Sequence, residues 1–390
     1  MTIVEFFDKD AIENIVSSLM CNPENVVLIG DNKKAMKRAI EKYKAVIEKH
    51  GTCVNFSVVQ VQRNNLQDIV GTLQNLIETL GEITIDLTGG EDLHLVAAGI
   101  VFNSNPSKVF LHRYNINNGK FYDCDADGNV LSSTKYNISV EDSISLYGGD
   151  IVFEDKQTET KGTYKWNFDK EFRTDIDTMW QICSDNPREW NRITNICTPE
   201  YYFDDFDLKI HSQGKFLTSI PVIIQKLKSH KLINNVTLKN GTLSFESKNP
   251  QIKRCLTTAG QILELKTTLS LLSINEANNG NLFNDILTGV TIQWELPEEN
   301  NAIITNEIDV IVIKELVPFF ISCKNGDVEA EEFYKLSTIA TKFGGKYAKK
   351  ILVATEEITG LTQRATEMHI RVVDNVGKSK NFTKQLKTFL

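Results

Sequence analysis

Between residues 2 and 112, short apolar runs alternate with longer stretches in which apolar positions recur every three or four residues. A continuous apolar run of about five residues suits a strand covered on both faces, and the longer period suits an amphipathic helix. The pattern predicts strands at 2–7, 25–30, 54–61, 83–87 and 109–112. Helices are predicted at 11–20, 33–49, 66–80 and 93–102, with Gly51 and Gly81 closing the second and third. This repeated strand–helix order implies an α/β domain: a mostly parallel sheet with helices on both faces, Rossmann-like in architecture.

After Tyr114 the pattern weakens. Asn117-Asn-Gly-Lys120 joins two short polar strands, and Asp125-Ala-Asp-Gly128 reads as another turn. Asp123, Asp125 and Asp127 alternate, but the twelve-residue calcium loop with its terminal Glu is not met. Residues 131–165 read as further strands or hairpins, with a break at Gly148-Gly149-Asp150. Residues 168–201 are helical in pattern, interrupted at Asn186-Pro187, and a helix at 221–232 precedes a hairpin at 236–245 with an Asn-Gly turn. Trp166, Trp180 and Trp190 fit core anchors. This region offers no chemistry of its own and reads as a mechanical link, a winged-helix-like unit being one form it could take.

Two runs rich in Ile, Val and Phe then flank residues 314–318, a short connection containing Pro318. Period-two alternation puts Glu307, Asp309, Ile311 and Ile313 on one face of the first run, and Phe320, Ser322 and Lys324 on one face of the second. If the runs pair, Asp309 and Lys324 meet at the open end of the hairpin. Beyond it the pattern predicts a helix at 331–342 ending at Gly344-Gly345, strands at 351–354 and 370–373, and a short helix at 362–369.

Composition refines this. A chain of 390 residues suits two domains and a connector, and 41% hydrophobic with 24% charged residues is ordinary for a globular protein. No apolar run approaches the roughly 18 residues of a membrane span, and no basic segment followed by an apolar one opens the chain; a cytoplasmic protein with no membrane partner is expected. Seven scattered cysteines without a Cys-x-x-Cys spacing suggest free thiols and no zinc site. The net charge of -8 argues against nucleic acid as a partner, but residues 335–390 carry 11 Lys/Arg against 4 Asp/Glu. A basic end on an acidic body fits local phosphate contacts; a solvated basic tail fits the same charges.

Candidate chemistry lies at two places. Asp309 could hold a hard divalent cation, which polarises a phosphodiester, while Lys324 positions water and offsets developing charge. An Asp at a strand start and a Lys at a strand end are also common on plain surfaces. In the N-terminal sheet, Gly30-Asp31-Asn32-Lys33 and Thr88-Gly89-Gly90-Glu91 follow strands, where backbone amides and helix N-termini can meet a phosphate. A tight turn needing positive φ explains the second equally well. Neither a Gly-x-Gly-x-x-Gly fingerprint nor a Walker loop occurs, so NAD and ATP are weakly supported.

Asn306-Glu-Ile-Asp-Val310 followed by Ile321-Ser-Cys-Lys324 resembles the core of the restriction-endonuclease-like PD-(D/E)xK superfamily. The resemblance implies an upstream helical acid, for which Gly260-Gln-Ile-Leu-Glu264 nominates Glu264. Ser322 stands where that pattern has an acid. Metal binding, to Mn²⁺ or Mg²⁺, would then rest on Asp309, Glu264 and a backbone carbonyl near Cys323, with Glu307 in reserve; the Cys323 side chain itself reads as core. Asp86-Leu-Thr-Gly-Gly90 resembles the signature of CRISPR-associated Rossmann-fold (CARF) sensor domains, which dimerise and bind cyclic oligoadenylates across the dimer axis. By that likeness Thr88, Gly89 and Gly90 contact the ligand, Gly30, Asp31 and Asn32 form the neighbouring wall, and Asp8 and Lys9 qualify by position. His94 reads as helix packing. Together the two resemblances look like CARF-nuclease ancillary effectors of type III CRISPR systems. They imply a homodimer activated by cyclic tetra-adenylate that cleaves DNA and/or RNA, with single strands favoured in some members. The domains expected are a sensor at 1–150, an α+β connector at 151–250 and an α/β nuclease at 251–390. Glu332 and Lys335 could support the site, although positions on a surface helix explain both better, and Gln363 and Arg364 at a helix start could meet phosphate. The main alternative is a nucleotide-sensing regulator that binds nucleic acid without cutting it, favoured by Ser322. A Rossmann-type metabolic enzyme would leave the C-terminal constellation unexplained.

Overall fold

The structure is a computed structural model, and it describes all residues except 52, 125–129, 132–136, 198–206, 214–216, 295–302 and 380. The predicted turn at Asp125-Ala-Asp-Gly128 thus lies outside the described residues. The chain divides into two compact units, one formed by residues 1–149, 313–318 and 341–348, the other by 150–312, 319–340 and 349–390. No helix among the described residues is long and apolar enough to cross a membrane.

In the first unit β1 (Thr2–Phe6), β2 (Asn25–Gly30), β3 (Asn55–Gln60), β4 (Ile83–Asp86) and β5 (Val109–Asn115) pair in parallel. β6 (Lys120–Asp123) and β7 (Val130–Leu131) extend the sheet antiparallel, giving the order β3-β2-β1-β4-β5-β6-β7. β1 and β2 are buried over nearly their whole length, as continuous apolar runs should be when both faces are covered. The helices are α1 (Val16–Cys21), α2 (Lys33–Lys49), α3 (Leu66–Leu80), α4 (Asp92–Ser104) and α5 (Val140–Leu146). Met36, Ile40, Tyr43 and Ile47 form the buried stripe of α2, and Ile69, Leu73 and Ile77 that of α3. Asn32 and Asn65 cap these helices, accepting from the backbone N–H of Ala35 and Asp68. Strand order reverses at β1, so the carboxyl ends of β1 and β4 lie side by side, where ligands of open α/β sheets bind.

Two expectations are corrected here. The predicted helix at 11–20 is a 3-10 turn, Ala11–Asn14, followed by α1. Asn14 breaks it: its Oδ1 accepts from Asp8 N–H at 2.7 Å and its Nδ2 donates to the Asp8 carbonyl at 2.8 Å. Residues 131–165, read as strands or hairpins, include the helix α5. Ser139 and Asp142 form a capping box at its start, each side chain accepting from the other's backbone N–H.

The second unit, with elements whose ends at 149, 313–318 and 341–344 fall in the first, holds most of β8 (Gly149–Ile151), and then α6 (Lys170–Asp185) and α7 (Pro187–Ile196). β9 (Lys209–His211), α8 (Val222–Ser229), β10 (Ile233–Lys239), β11 (Thr242–Ser247) and α9 (Pro250–Thr257) follow, with β10-β11-β9 making a small antiparallel sheet. α10 (Gln261–Ala277) is buried on several sides, by Thr267, Thr268 and Ser270 as well as by its leucines and isoleucines. β12 (Asp285–Trp294), β13 (Thr305–Lys314), β14 (Val317–Lys324), α11 (Ala330–Gly344), β15 (Lys349–Ala354), α12 (Thr362–Glu367), β16 (Ile370–Val373) and α13 (Phe382–Lys387) complete the chain. The larger sheet has the order β16-β15-β14-β13-β12-β8, with β14, β15 and β16 parallel. The connection predicted at 314–318 narrows to Glu315-Leu316, with Glu315 at φ 57°; a two-residue turn between neighbouring strands makes β13 and β14 an antiparallel hairpin. β12 was not foreseen. Its alternation rests on Thr288, Val290 and Ile292, diluted by Gly289 and a second threonine.

Candidate functional site

The hairpin brings Asp309 on β13 against Ser322 and Cys323 on β14. Ser322 Oγ donates to Asp309 Oδ2 at 3.1 Å, and the Cys323 N–H donates to the same oxygen at 2.5 Å. Both bonds fall on Oδ2, which leaves Oδ1 as the oxygen for a ligand. Glu264 enters from the first turn of α10, where Gln261 Nε2 donates to its Oε2 at 2.8 Å. Gly260 starts this helix in the left-handed conformation at φ 85°, which a residue without Cβ adopts freely. Glu307, two residues before Asp309, is exposed at the rim.

These acids perturb one another. Burial pushes the Glu264 carboxyl well above the usual carboxylate range, and the charges of Asp309 and Glu307 push it further. Burial likewise raises Asp309, while the Cys323 N–H, Lys324 and Ser322 pull it back. Glu307, although part of its side chain reaches solvent, is raised by partial desolvation of its carboxyl and then by Asp309, with Lys324 pulling it back. The Lys324 ammonium stabilises all three carboxylates electrostatically, and its Nζ sits 2.6 Å from Glu332 Oε2 on α11. Burial opposes ionisation of Glu332, but Lys324 and then Lys335 hold it below the usual range. Glu332 thus pairs with Lys324, while Lys335 is an exposed helix residue paired with Glu331 and Glu332.

Among the described residues, no group of three or more His, Cys, Asp or Glu side chains is gathered for a metal ion. Two carboxylates do fit Mg²⁺ or Mn²⁺, since Mg²⁺ ordinarily takes one or two protein carboxylates and completes its shell with water and phosphate. The raised proton affinity of Glu264 and Asp309 marks a site short of positive charge, which a dication supplies better than a proton. The Cys323 thiol points elsewhere, donating to Thr267 Oγ1 at 3.5 Å, and burial raises it well above its ordinary value. All seven cysteines are free.

In the first unit the loops after β1 and β4 converge as the strand order requires. Gly90 sits at φ 100°, where a Cβ would come within 2.7 Å of Phe6 Cβ, and its N–H points to Asp8 Oδ2 at 3.4 Å. A Cβ on Gly89 would meet Glu13 and Asp8 at 3.2 and 3.3 Å. Thr88 is occupied with holding this loop: its Oγ1 donates to Asp86 Oδ1 at 2.5 Å and accepts from the Tyr114 N–H at 2.8 Å. Asp86 is buried and also accepts from Ser17 Oγ at 2.7 Å. Gly30 lies too close to Phe7 and Met36 to carry a side chain, and the Asp31 carbonyl accepts from Gln60 Nε2. His94 stacks on Phe6 with ring centroids 4.9 Å apart, the packing role expected of it.

A cavity of about 600 Å³ opens beside these loops. Asp8, Lys9 and Asn32 line it, whereas Thr88, Gly89 and Gly90 do not; Lys34, Arg38 and Lys42 from α2 add positive charge. Sequence reasoning missed a clasp nearby: Tyr147 OH and the Lys346 N–H donate to Asp10, while Lys346 Nζ and Tyr347 OH reach Glu13 at 2.6 and 2.5 Å. Gly345, at φ 61° with Asp10 where a Cβ would be, was its one visible sign. Trp180 and Trp190 are core residues as expected, but Trp166 is only half-buried.

The sequence matches no protein-family model and no curated protein. Its fold is similar over the whole chain to that of protein VC1899 from Vibrio cholerae, with a TM-score of 0.77, 17% identity, and coverage of 100% of this chain and 97% of that one. It is similar also to Can2 from Sulfobacillus thermosulfidooxidans, solved in complex with cyclic tetra-adenylate, with a TM-score of 0.74, 15% identity, and coverage of 100% and 98%. A type III CRISPR defence DNA nuclease activated by cyclic oligoadenylate matches with a TM-score of 0.53 and 12% identity, over 99% of this chain but 51% of that one.

Proposed function

We propose that this chain is a metal-dependent nuclease of type III CRISPR defence, acting in the cytoplasm and switched on by a cyclic oligoadenylate, with cyclic tetra-adenylate the activator. The observation that carries the reading is the pair of half-buried, mutually repelling carboxylates, Glu264 on the first turn of α10 and Asp309 on the β13–β14 hairpin, both stabilised electrostatically by the Lys324 ammonium. A divalent cation bound there would polarise a phosphodiester and lower the pKa of water. Around it, Asp309 and Glu264 would present Oδ1 and Oε1, Gln261 and Cys323 would hold the carboxylates in place, and Lys324 would stabilise charge developing on the phosphate. The substrate is DNA and/or RNA, single strands favoured.

Support for the activator comes from the basic cavity at the carboxyl ends of the first unit's strands and from the fold shared with Can2, whose ligand is cyclic tetra-adenylate. Leu95, Val96 and Ile100 leave an apolar face of α4 exposed, which supports pairing of two copies through this unit. Ligand shared by two sensor units would favour the active state only by its differential affinity for that state. Calorimetric titration with cyclic tetra-adenylate tests this half: one ring per two chains is expected, and no binding, or one ring per chain, refutes it. Light scattering on Ile100→Asp should return a monomer.

A second reading is favoured by Ser322, whose hydroxyl occupies the usual acid position, and by the Lys324–Glu332 ion pair: a sensor that binds nucleic acid without cutting it. Asp309→Ala and Lys324→Ala separate the two. Loss of cleavage with strand binding retained supports the enzyme, and no cleavage by the wild type supports the regulator.

A further inference from the structure

A cavity of about 390 Å³ in the second unit serves none of the roles above. Two of its wall residues, Gln261 and Glu307, belong to the acidic site, so the cavity adjoins the candidate metal position. Much of the remaining wall is an irregular excursion at residues 152–166. The excursion is pinned: Thr163 N–H donates to the Val152 carbonyl at 2.7 Å, Val152 N–H to the Thr291 carbonyl at 2.9 Å, and Thr291 N–H to Thr163 Oγ1 at 2.9 Å. Gly162 makes this closure feasible, because a Cβ there would lie 2.4 Å from the Val152 carbonyl oxygen.

The excursion presents two aromatic rings, Tyr164 and Trp166, the second of which sequence patterning assigns to the core. Trp166 is half-buried, stacks on Phe172 with planes 3° apart, and meets Tyr164 edge-on at 4.8 Å. The Arg254 guanidinium lies 3.9 Å from the Tyr164 ring centroid and pairs with Glu154 at 2.5 Å. Its Nε is buried without a hydrogen-bond partner, so the guanidinium is incompletely satisfied beside the cavity. Lys161 adds a cation to the same wall.

We propose that this cavity receives the nucleobase adjoining the scissile phosphate of a single-stranded nucleic acid, packed against Trp166, with the Tyr164–Arg254 pair as its polar neighbour. Aromatic faces take any base without reading its edge, and a base can enter a side cavity only when it is unpaired. The volume suits a nucleoside-sized group. Preference for single strands then follows from the shape of the cavity, and base selectivity is weak. This inference rests on the nuclease reading of Glu264 and Asp309.

The test is fluorescence anisotropy with end-labelled 12-nucleotide DNA and RNA single strands, and the matching duplexes, on the full-length protein in chelator so that nothing is cut. Trp166→Ala should weaken single-strand binding about 10-fold or more, Trp166→Phe should restore most of it, and duplex binding should stay unchanged. An abasic site moved along the strand, needing no variant protein, should weaken binding at one position and, in metal, slow cleavage at the adjoining phosphate. The ratio of DNA to RNA affinity identifies which polymer the cavity serves. Unchanged binding in Trp166→Ala together with indifference to every abasic position overturns the inference. Trp166-dependent binding by a protein that cuts neither polymer retains the cavity as a strand site and refutes only the nuclease reading.

Discussion

Replacing Glu264 by Gln should make the metal-free protein more stable while abolishing its activity. The carboxamide keeps the side-chain volume and an oxygen for Gln261 Nε2, which donates at 2.8 Å, and removes only the charge. That charge is unfavourable in the folded state, because burial and the neighbouring Asp309 and Glu307 hold the carboxyl well above its ordinary range. A carboxyl raised in this way binds its proton more tightly folded than unfolded. Below the unfolded value, about pH 4.3, both states are protonated and the site costs nothing. As pH rises toward the folded value, stability is lost at up to about 1.4 kcal/mol per pH unit, and above the folded value the loss stays constant. Gln titrates nowhere in this window. Thermal midpoints of wild type and Glu264→Gln in chelator should therefore agree near pH 4 and separate with rising pH, by roughly 3–5 °C per unit for a unit of this size. Divalent metal should reverse the order. Mn²⁺ at 100 times its Kd contributes about 2.7 kcal/mol to the form that binds it and much less to the variant. A variant less stable than wild type in chelator at neutral pH, or an equal Mn²⁺ shift in both proteins, would refute the reasoning.

Three further outcomes are expected. Lys324→Ala should lower the cleavage rate about 100-fold or more, with metal-free strand affinity nearly unchanged by anisotropy. Glu332→Gln, which removes the 2.6 Å partner of Lys324 and leaves the lysine itself, should lower the rate by less than about 10-fold; an equal loss in the two variants would mean that the ion pair acts as one unit. Gly90→Ala forces a side chain into φ 100° and against Phe6, so calorimetry should show about 1–3 kcal/mol of lost stability and no thermal shift from cyclic tetra-adenylate.

How much was legible in the sequence depended on whether local pattern and tertiary role coincided. β1 and β2 are nearly continuous apolar runs buried almost throughout, so they read directly from the pattern. Alternation along two adjacent apolar runs brought Asp309 and Lys324 onto one hairpin, but the register was hidden by the five-residue connection read at 314–318: the turn is Glu315-Leu316, Asp309 meets Ser322 and Cys323, and Lys324 pairs with Glu332. β12 was hidden because two threonines and Gly289 carry half of its alternation. α5 was hidden because seven residues are too few for a helical period to stand out, although Ser139-Val-Glu-Asp142 holds its capping signal. Thr88 shows another limit: spacing brought it into the loop, but only coordinates reveal that its hydroxyl is committed to Asp86 and to the Tyr114 N–H. Trp166 was assigned to the core because an aromatic residue near a helix usually packs, and one face of its ring does, against Phe172. The clasp of Asp10 and Glu13 with Lys346 and Tyr347 joins positions more than 330 residues apart, which no local pattern encodes.

The most direct test of the central claim is cleavage of end-labelled single-stranded DNA and RNA in Mn²⁺ or Mg²⁺, with and without cyclic tetra-adenylate, by wild type and Asp309→Ala. Cutting that requires both metal and the cyclic ligand, and that disappears in Asp309→Ala, is predicted. Cutting that survives chelation or persists in Asp309→Ala would contradict the assigned site. Tight binding of the cyclic ligand with no cutting in either metal would contradict the enzyme and leave a sensor whose nuclease site Ser322 has silenced.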